Sequence, residues 1–228
     1  MNKIAFLTGY LDKISSKNVL LIHGWNSNAK ELKKLADMLK ARGKIPKVLE
    51  YPYTLPGEKI VNDYIKPFLS NNEGADVVTH SAGGDLVRKA YNTGGVQKGR
   101  RTVMIAPPIG GSHLAKIKNI LNKIIGKNDK FVEDLVPGSD FLKNIKPNKG
   151  DIAVIKGKWK GDGESIGARL KHTLVNIFNK NNDSILTDKQ VSLPEASSYK
   201  TFPFSHSRLI EEPSVADSLV SYLDKGTF

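Results

Sequence analysis

The chain contains no cysteine among its 228 residues. That absence excludes a disulfide framework, a thiolate zinc site, an iron–sulfur cluster and a cysteine nucleophile, and it is compatible with a reducing compartment. Aromatic residues make up only 7% of the chain and do not interleave with basic ones. With no arginine-rich arm and no RNA-binding signature either, no specific nucleic-acid partner is expected. No apolar run approaches the length of a membrane span. The stretch Ile4 to Leu7 is apolar, but Asp12 interrupts it and no small-residue cleavage site follows. No signal peptide is therefore read, and a cytoplasmic location is expected. No two of the five histidines stand at helical metal-ligand spacing, which argues against a zinc site. Phosphate-loop patterns fail as well: Gly94 to Gly99 follows a helical pattern and is not succeeded by Lys-Ser or Lys-Thr.

What is abundant is positive charge, +12 net, a field that draws a protein toward anionic lipid surfaces, polyphosphates or nucleic acid. The lysines are scattered along the whole chain among asparagines, the pattern of a solvated surface. Short apolar runs alternate with longer amphipathic stretches: Val19 to Ile22, Val48 to Tyr51, Val77 to Thr79, Thr102 to Ala106, Ile152 to Ile155 and Tyr199 to Phe202. Brief, nearly all-apolar strands separated by helices predict a parallel sheet covered on both faces. The first helix reads clearly, with Asn28 as cap, Leu32, Leu35, Ala36 and Leu39 on one face, and Gly43 at its end. Leu86, Val87, Ala90 and Tyr91 form a second apolar stripe. With no repeat and no linker, one doubly wound α/β domain over 1–228, with about six strands, is the expected architecture.

In such a sheet chemistry gathers at the carboxyl ends of the strands. Ala75 to Val87 runs an apolar strand straight into Ser81 and then into a helix, so the hydroxyl stands at the apex of a corner whose neighbours Ala82, Gly83 and Gly84 are small. The corner reads T-H-S-A-G against the nucleophile-elbow pattern G-x-S-x-G, with Thr79 in place of the first glycine. After the first strand comes His23-Gly24-Trp25, where a turn presents main-chain N–H groups to the crevice. With the amide of Ala82, that of Trp25 makes a two-donor oxyanion hole. His206 lies just past the last strand and before the closing helix, the position of a general base in this chain order. His23 and His80 flank the two turns and are read as packing or bracing them. The acid belongs to the loops after the fifth strand. Asp183, which opens a short apolar run, is preferred, and Asp162 between two glycines is the alternative.

These segments resemble the α/β-hydrolases, specifically the lipase-like serine esterases. His23-Gly24-Trp25 is similar to the family's H-G-W oxyanion segment, Thr79 through Gly83 to its elbow, and Pro108 through Ala115 to P-x-x-G-S-x-L-A. Asp183-Ser184-Ile185-Leu186 resembles the acid loop D-G-I-V with serine for glycine, and His206-Ser207-Arg208-Leu209 resembles the histidine loop. Leu135 through Leu142 is also similar to a lipase-family stretch. The resemblance implies an enzyme in which Ser81 attacks an acyl carbonyl, His206 takes and returns the proton, and water releases the acyl group. It implies no metal and no organic cofactor.

Hydrolysis of a small-molecule or lipid ester is the leading expectation. Acyl transfer or thioester cleavage is the neighbouring one, and a binding module on a hydrolase-like fold is the reading of another class. Between 112 and 150 the chain is long for a crossover, and Leu114, Ile117, Ile120, Leu121, Ile124 and Ile125 recur at helical spacing among lysines. A crossover helix burying its apolar stripe on the sheet, with lysines outward, accounts for this pattern. A lid over an acyl pocket, or peripheral contact with an anionic membrane, would use the same residues. The sequence carries no signal of oligomeric state.

Overall fold

A computed structural model describes residues 16–124, 128–148, 150–159, 183 and 185–228. Six short strands pair into one all-parallel sheet in the order β2-β1-β3-β4-β5-β6. They are β1 Asn18–Ile22, β2 Ile45–Leu49, β3 Asp76–His80, β4 Thr102–Ile105, β5 Ile152–Gly157 and β6 Ser198–Phe202. The helices are α1 Lys33–Lys40, α2 over 57–70, α3 Gly83–Thr93, α4 His113–Ile124, α5 Lys130–Asp134, α6 Asp140–Lys143 and α7 Pro213–Lys225. Among the described residues no helix is long and apolar enough to cross a membrane.

Strand alternation builds the two apolar layers. In β1, Val19 and Leu21 point to one side, where they meet Leu35 and Leu39 of α1 and Leu219 and Leu223 of α7. Leu20 and Ile22 point to the other, where they meet Ile60 and Ile65 of α2 and Leu86 and Val87 of α3. Side chains that alternate in this way and are buried on both faces are what the all-apolar strands predict. The first helix begins as a 3-10 turn, Ala29–Leu32, in which the Asn28 side chain accepts from the Lys30 amide at 2.9 Å.

The edge strand differs from expectation, spanning Ile45–Leu49 rather than Val48 to Tyr51. The strand includes Pro46 because β2 pairs only with β1, and an edge strand tolerates a residue that lacks an N–H. Tyr51 has left the sheet by then. Its ring stacks on His23 at 4.0 Å and its hydroxyl donates to the His23 carbonyl at 2.6 Å.

The chain order reverses at β1, which lies between β2 and β3. At such a reversal the connecting helices leave toward opposite faces, and a crevice opens beyond the carboxyl ends of the two central strands. The loop after β1 and the corner after β3 border this crevice, and they touch. A Cβ on Gly83 would lie 2.4 Å from the His23 carbonyl oxygen and 2.8 Å from that of Ile22, both rigid main-chain atoms. Gly83→Ala should therefore destabilise the protein at the upper end of the roughly 1–3 kcal/mol usual for overpacking. Gly110→Ala, which meets nothing within 4 Å, should change stability by less than about 0.5 kcal/mol. Urea unfolding midpoints of the two variants check the contrast, and equal midpoints would contradict it.

Candidate active site

Ser81 sits between β3 and α3 with φ at 54°, a left-handed conformation that costs a residue with a Cβ on the order of 1–2 kcal/mol. Two hydrogen bonds hold it there. Its amide donates to the Ile105 carbonyl at 2.8 Å, and its carbonyl accepts from the Gly84 amide at 3.0 Å. Thr79, which replaces the glycine of the elbow pattern, lies inside β3 in register with Ile22 and Met104, where a β-branched residue suits the backbone. Room for it comes from across the turn: a Cβ on Gly84 would stand 3.3 Å from Thr79 Oγ1.

Gly24 brings the two loops together, since a Cβ there would lie 2.8 Å from Ser81 Cβ and 3.3 Å from the Ala82 nitrogen. The main-chain N–H groups of Trp25 and Ala82 have no acceptor among the described residues. The half-buried Trp25 is fixed by its ring: Nε1 donates at 2.8 Å to Asp129 Oδ2, while Asp129 Oδ1 accepts from the Val132 amide at 3.2 Å and caps α5.

On the other side of the crevice, Asp183 and His206 form a closed pair. His206 Nδ1 donates to Asp183 Oδ2 at 2.7 Å, and the His206 amide donates to the Asp183 carbonyl at 2.7 Å. The second carboxylate oxygen accepts from the amides of Ile185 and Leu186 at 3.0 and 2.7 Å. The carboxylate is thus buried with three donors, and one of them fixes the imidazole tautomer and orientation. Gly157, at the end of β5, makes the approach possible, because a Cβ there would be 2.6 Å from both Asp183 Cβ and the Phe204 carbonyl. Asp162, the alternative acid, and His172 lie outside the described residues.

His80 joins the halves. Its ring packs on that of His206 at 4.8 Å and its Nε2 donates to the His206 carbonyl at 3.2 Å, so the residue before Ser81 touches the histidine loop. The Ser81 hydroxyl itself is half-exposed and makes no hydrogen bond, to His206 or otherwise, among the described residues. In a site without substrate such a bond is often long or open. Burial, with repulsion from His206 as a second cause, pushes His80 down to about 3, and burial also lowers His23. Both imidazoles are therefore held neutral and serve as braces.

Several contributors were not legible in the sequence. Gln190 links the acid loop to the start of α4: its Nε2 donates to the Gly111 carbonyl at 2.7 Å, and its Oε1 accepts from the Thr187 amide at 2.9 Å. Behind the serine, Asp85 is fully buried, neither carboxylate oxygen is hydrogen-bonded among the described residues, and burial pushes it up to about 7 against the opposing pull of Arg88, whose Nη1 lies at 3.5 Å. Arg88 is turned instead to Glu195, meeting its Oε1 at 2.9 and 3.2 Å. A charged pair three residues apart inside an apolar helical stripe was the available signal. Among the described residues, no three carboxylate or imidazole side chains gather as a metal site would need.

The fold has clear relatives among solved structures. A mature lipase from Bacillus licheniformis aligns at a TM-score of 0.68 and 16% identity, covering 94% of each chain. A metagenomic carboxyl esterase aligns at 0.66 and 12%, covering 93% of this chain and 76% of its own. An extracellular α/β-hydrolase from a Paenibacillus species aligns at 0.57 and 13%, covering 91% and 99%. No protein-family model and no curated protein sequence matches the chain. The architecture is that of the α/β-hydrolases.

Because folded His80 titrates near 3 and an unfolded histidine near 6.5, acid protonates the unfolded chain first. The stability that neutral His80 confers is present above pH 6.5 and is lost as pH falls toward 3. For this one group the slope is at most about 1.4 kcal/mol per pH unit. His80→Gln, which keeps a donor for the His206 carbonyl, should flatten the fall in unfolding free energy between pH 6.5 and 4. Identical pH profiles in urea titrations of the two proteins would count against the bracing role.

Proposed function

With an α/β-hydrolase scaffold as premise, we propose that the protein is a serine hydrolase of carboxylic esters, working through a Ser81–His206–Asp183 triad and an acyl-enzyme. The observation that carries this reading is the 2.7 Å pair between His206 Nδ1 and Asp183 Oδ2, lodged against a strand-to-helix corner where Ser81 is held at φ 54°. A buried histidine oriented by a carboxylate and packed on His80, the residue that precedes a left-handed serine, serves no packing need that apolar residues would not meet at lower cost.

In this reading, Nε2 of His206 accepts the Ser81 proton as Oγ bonds to the acyl carbon. The carbonyl oxygen takes up the negative charge and receives hydrogen bonds from the Trp25 and Ala82 amides, each contributing about 2.7–4 kcal/mol to the transition state. The imidazolium then protonates the departing alkoxide as the ester C–O bond breaks. Water adds to the acyl-enzyme with His206 again taking a proton, and return of that proton to Ser81 releases the acid. Asp183 stays ionised and stabilises the transient imidazolium. The names of the structural neighbours, lipase and carboxyl esterase, agree with an ester carbonyl as the reacting group.

Ser81→Ala and His206→Ala should each lower kcat on a short-chain ester by about 10⁴- to 10⁶-fold, and Asp183→Asn by about 10⁴-fold. A fluorophosphonate probe should label the native protein and fail to label Ser81→Ala. Labelling that survives that substitution, or a native protein inert to both probe and esters, would refute the assignment.

A further inference from the structure

The helix α4 is turned the opposite way from what its sequence pattern suggests. A crossover helix buries its apolar stripe, yet Ile117 and Ile120 are 44% and 53% exposed, two of the four large apolar side chains exposed among the described residues. The positions facing inward are Ala115, 1% exposed, and Asn122, 2% exposed, and neither amide atom of Asn122 has a hydrogen-bond partner among the described residues. Three residues apart, Ile117 and Ile120 share one outward stripe with exposed His113, and Lys116, also exposed, flanks it. Half-buried Lys118 stands on the far side of the helix turn.

Charge on this side of the molecule has one dominant sign. No aspartate or glutamate occurs between Asp85 and Asp129. On the neighbouring short helices, Glu133 lies 3.9 Å from Lys130, Asp140 lies 4.0 Å from Lys143, and Asp134 accepts from the Gly57 amide at 2.6 Å. The residues before α4 and the cap of α5 are tied to loops at the carboxyl edge of the sheet. The Gly111 carbonyl before the helix accepts from Gln190, in the segment that follows Asp183, and Asp129 after it accepts from Trp25.

We infer that the outward face of α4 docks on an anionic lipid surface, with Ile117 and Ile120 entering the headgroup–acyl boundary and the exposed Lys116 meeting lipid phosphates. Outward isoleucines beside lysines, with no acid on the helix, match the two attractions such a surface offers, apolar burial and counter-charge. A second copy of this chain would bring the same lysines toward one another across a two-fold axis, which disfavours it as the occupant. The inference extends the hydrolase reading by naming where a lipid ester would arrive, while the docking itself does not depend on catalysis.

The test uses the full chain carrying Ser81→Ala, so that vesicles are not consumed, and cosedimentation with vesicles of phosphatidylcholine alone or of equal parts phosphatidylcholine and phosphatidylglycerol. Binding should appear on the mixed vesicles, weaken with added salt, and be at least about tenfold weaker on phosphatidylcholine alone. Ile117→Ser with Ile120→Ser, and separately Lys116→Glu, should each weaken it by about tenfold or more. In the Ser81 background the same isoleucine pair should leave turnover of a soluble short-chain ester unchanged, which also verifies that the variant is folded. Absence of binding to the mixed vesicles, or binding that ignores the isoleucine substitutions, overturns the inference. So does a dimer, seen by analytical ultracentrifugation without lipid, that those substitutions dissolve. None of these outcomes bears on whether Ser81 is a nucleophile, since that is read from ester turnover and probe labelling.

Discussion

Two main-chain segments, 22–24 and 81–83, pass so closely that neither Gly24 nor Gly83 leaves space for a methyl group. The rest of the site follows from that contact. It brings the free amides of the β1 loop beside the corner after β3 and sets the direction in which Ser81 leaves the sheet. The left-handed backbone at Ser81 is unfavourable in isolation and persists because its surroundings over-determine it. A bond to β4 on one side, a bond to the first turn of α3 on the other, and the carbonyls of Ile22 and His23 against Gly83 leave the chain one path. A site built this way is costly to assemble and needs little reorganisation once formed, which is the property that electrostatic catalysis requires of its donors.

The region behind the corner is where stability is given up. The Asp85 carboxylate oxygens, Thr79 Oγ1 and His23 Nε2 are buried and have no hydrogen-bond partner among the described residues. Arg88, within reach of Asp85, makes its close contacts with Glu195, which ties α3 to the segment that leads into β6, and Asn148 fastens its own side chain to the Arg88 carbonyl at 3.3 Å. Replacing such buried ionic groups by apolar residues commonly raises stability, so their presence points to positioning. What they position is the first turn of α3, whose leading residues are Gly83 and Gly84 and whose preceding amide belongs to Ala82. The Asp183–His206 pair differs in kind, because both carboxylate oxygens of Asp183 meet donors, two amides on one and the imidazole on the other.

How much of this was legible in the sequence divides along the range of the interaction. Five strands fall where their apolar runs stand, and the sixth, β2, begins three residues earlier than its apolar run, because an edge strand accommodates Ile45, Pro46 and Lys47 without an all-apolar pattern. The Ser81 corner and the loop that carries His206 depend on local turn chemistry, so their residues could be picked out one by one. The pairing of Asp183 with His206 depends on Gly157, a strand-end glycine with no local signature, since its necessity comes from Asp183 and Phe204, both distant in the chain. Gln190, Asp129 and the link from Arg88 to Glu195 were invisible for the same reason. Each acts through a partner dozens of residues away, and a single sequence holds no record of such pairs.

The orientation of α4 belongs to the same class and carries the point further. Apolar periodicity identifies a helix and its stripe, but it does not say which face turns inward, because that phase is fixed where the helix is held at its ends. Here the N-terminal end is pinned by the Ser112 amide to the Leu135 carbonyl at 2.9 Å and by Gly111 to Gln190, and Gly111 has no room for a side chain against Pro137. With the first turn set, the inward position falls on Ala115, whose side chain is small enough for the close approach, and one hundred degrees per residue carries Asn122 to the same side. The isoleucines are left facing out. The hydrophobic effect would rotate the helix by half a turn if it acted alone, so the end contacts must outweigh the exposure of two isoleucines, or an apolar surface outside the chain must complete what the fold leaves uncovered.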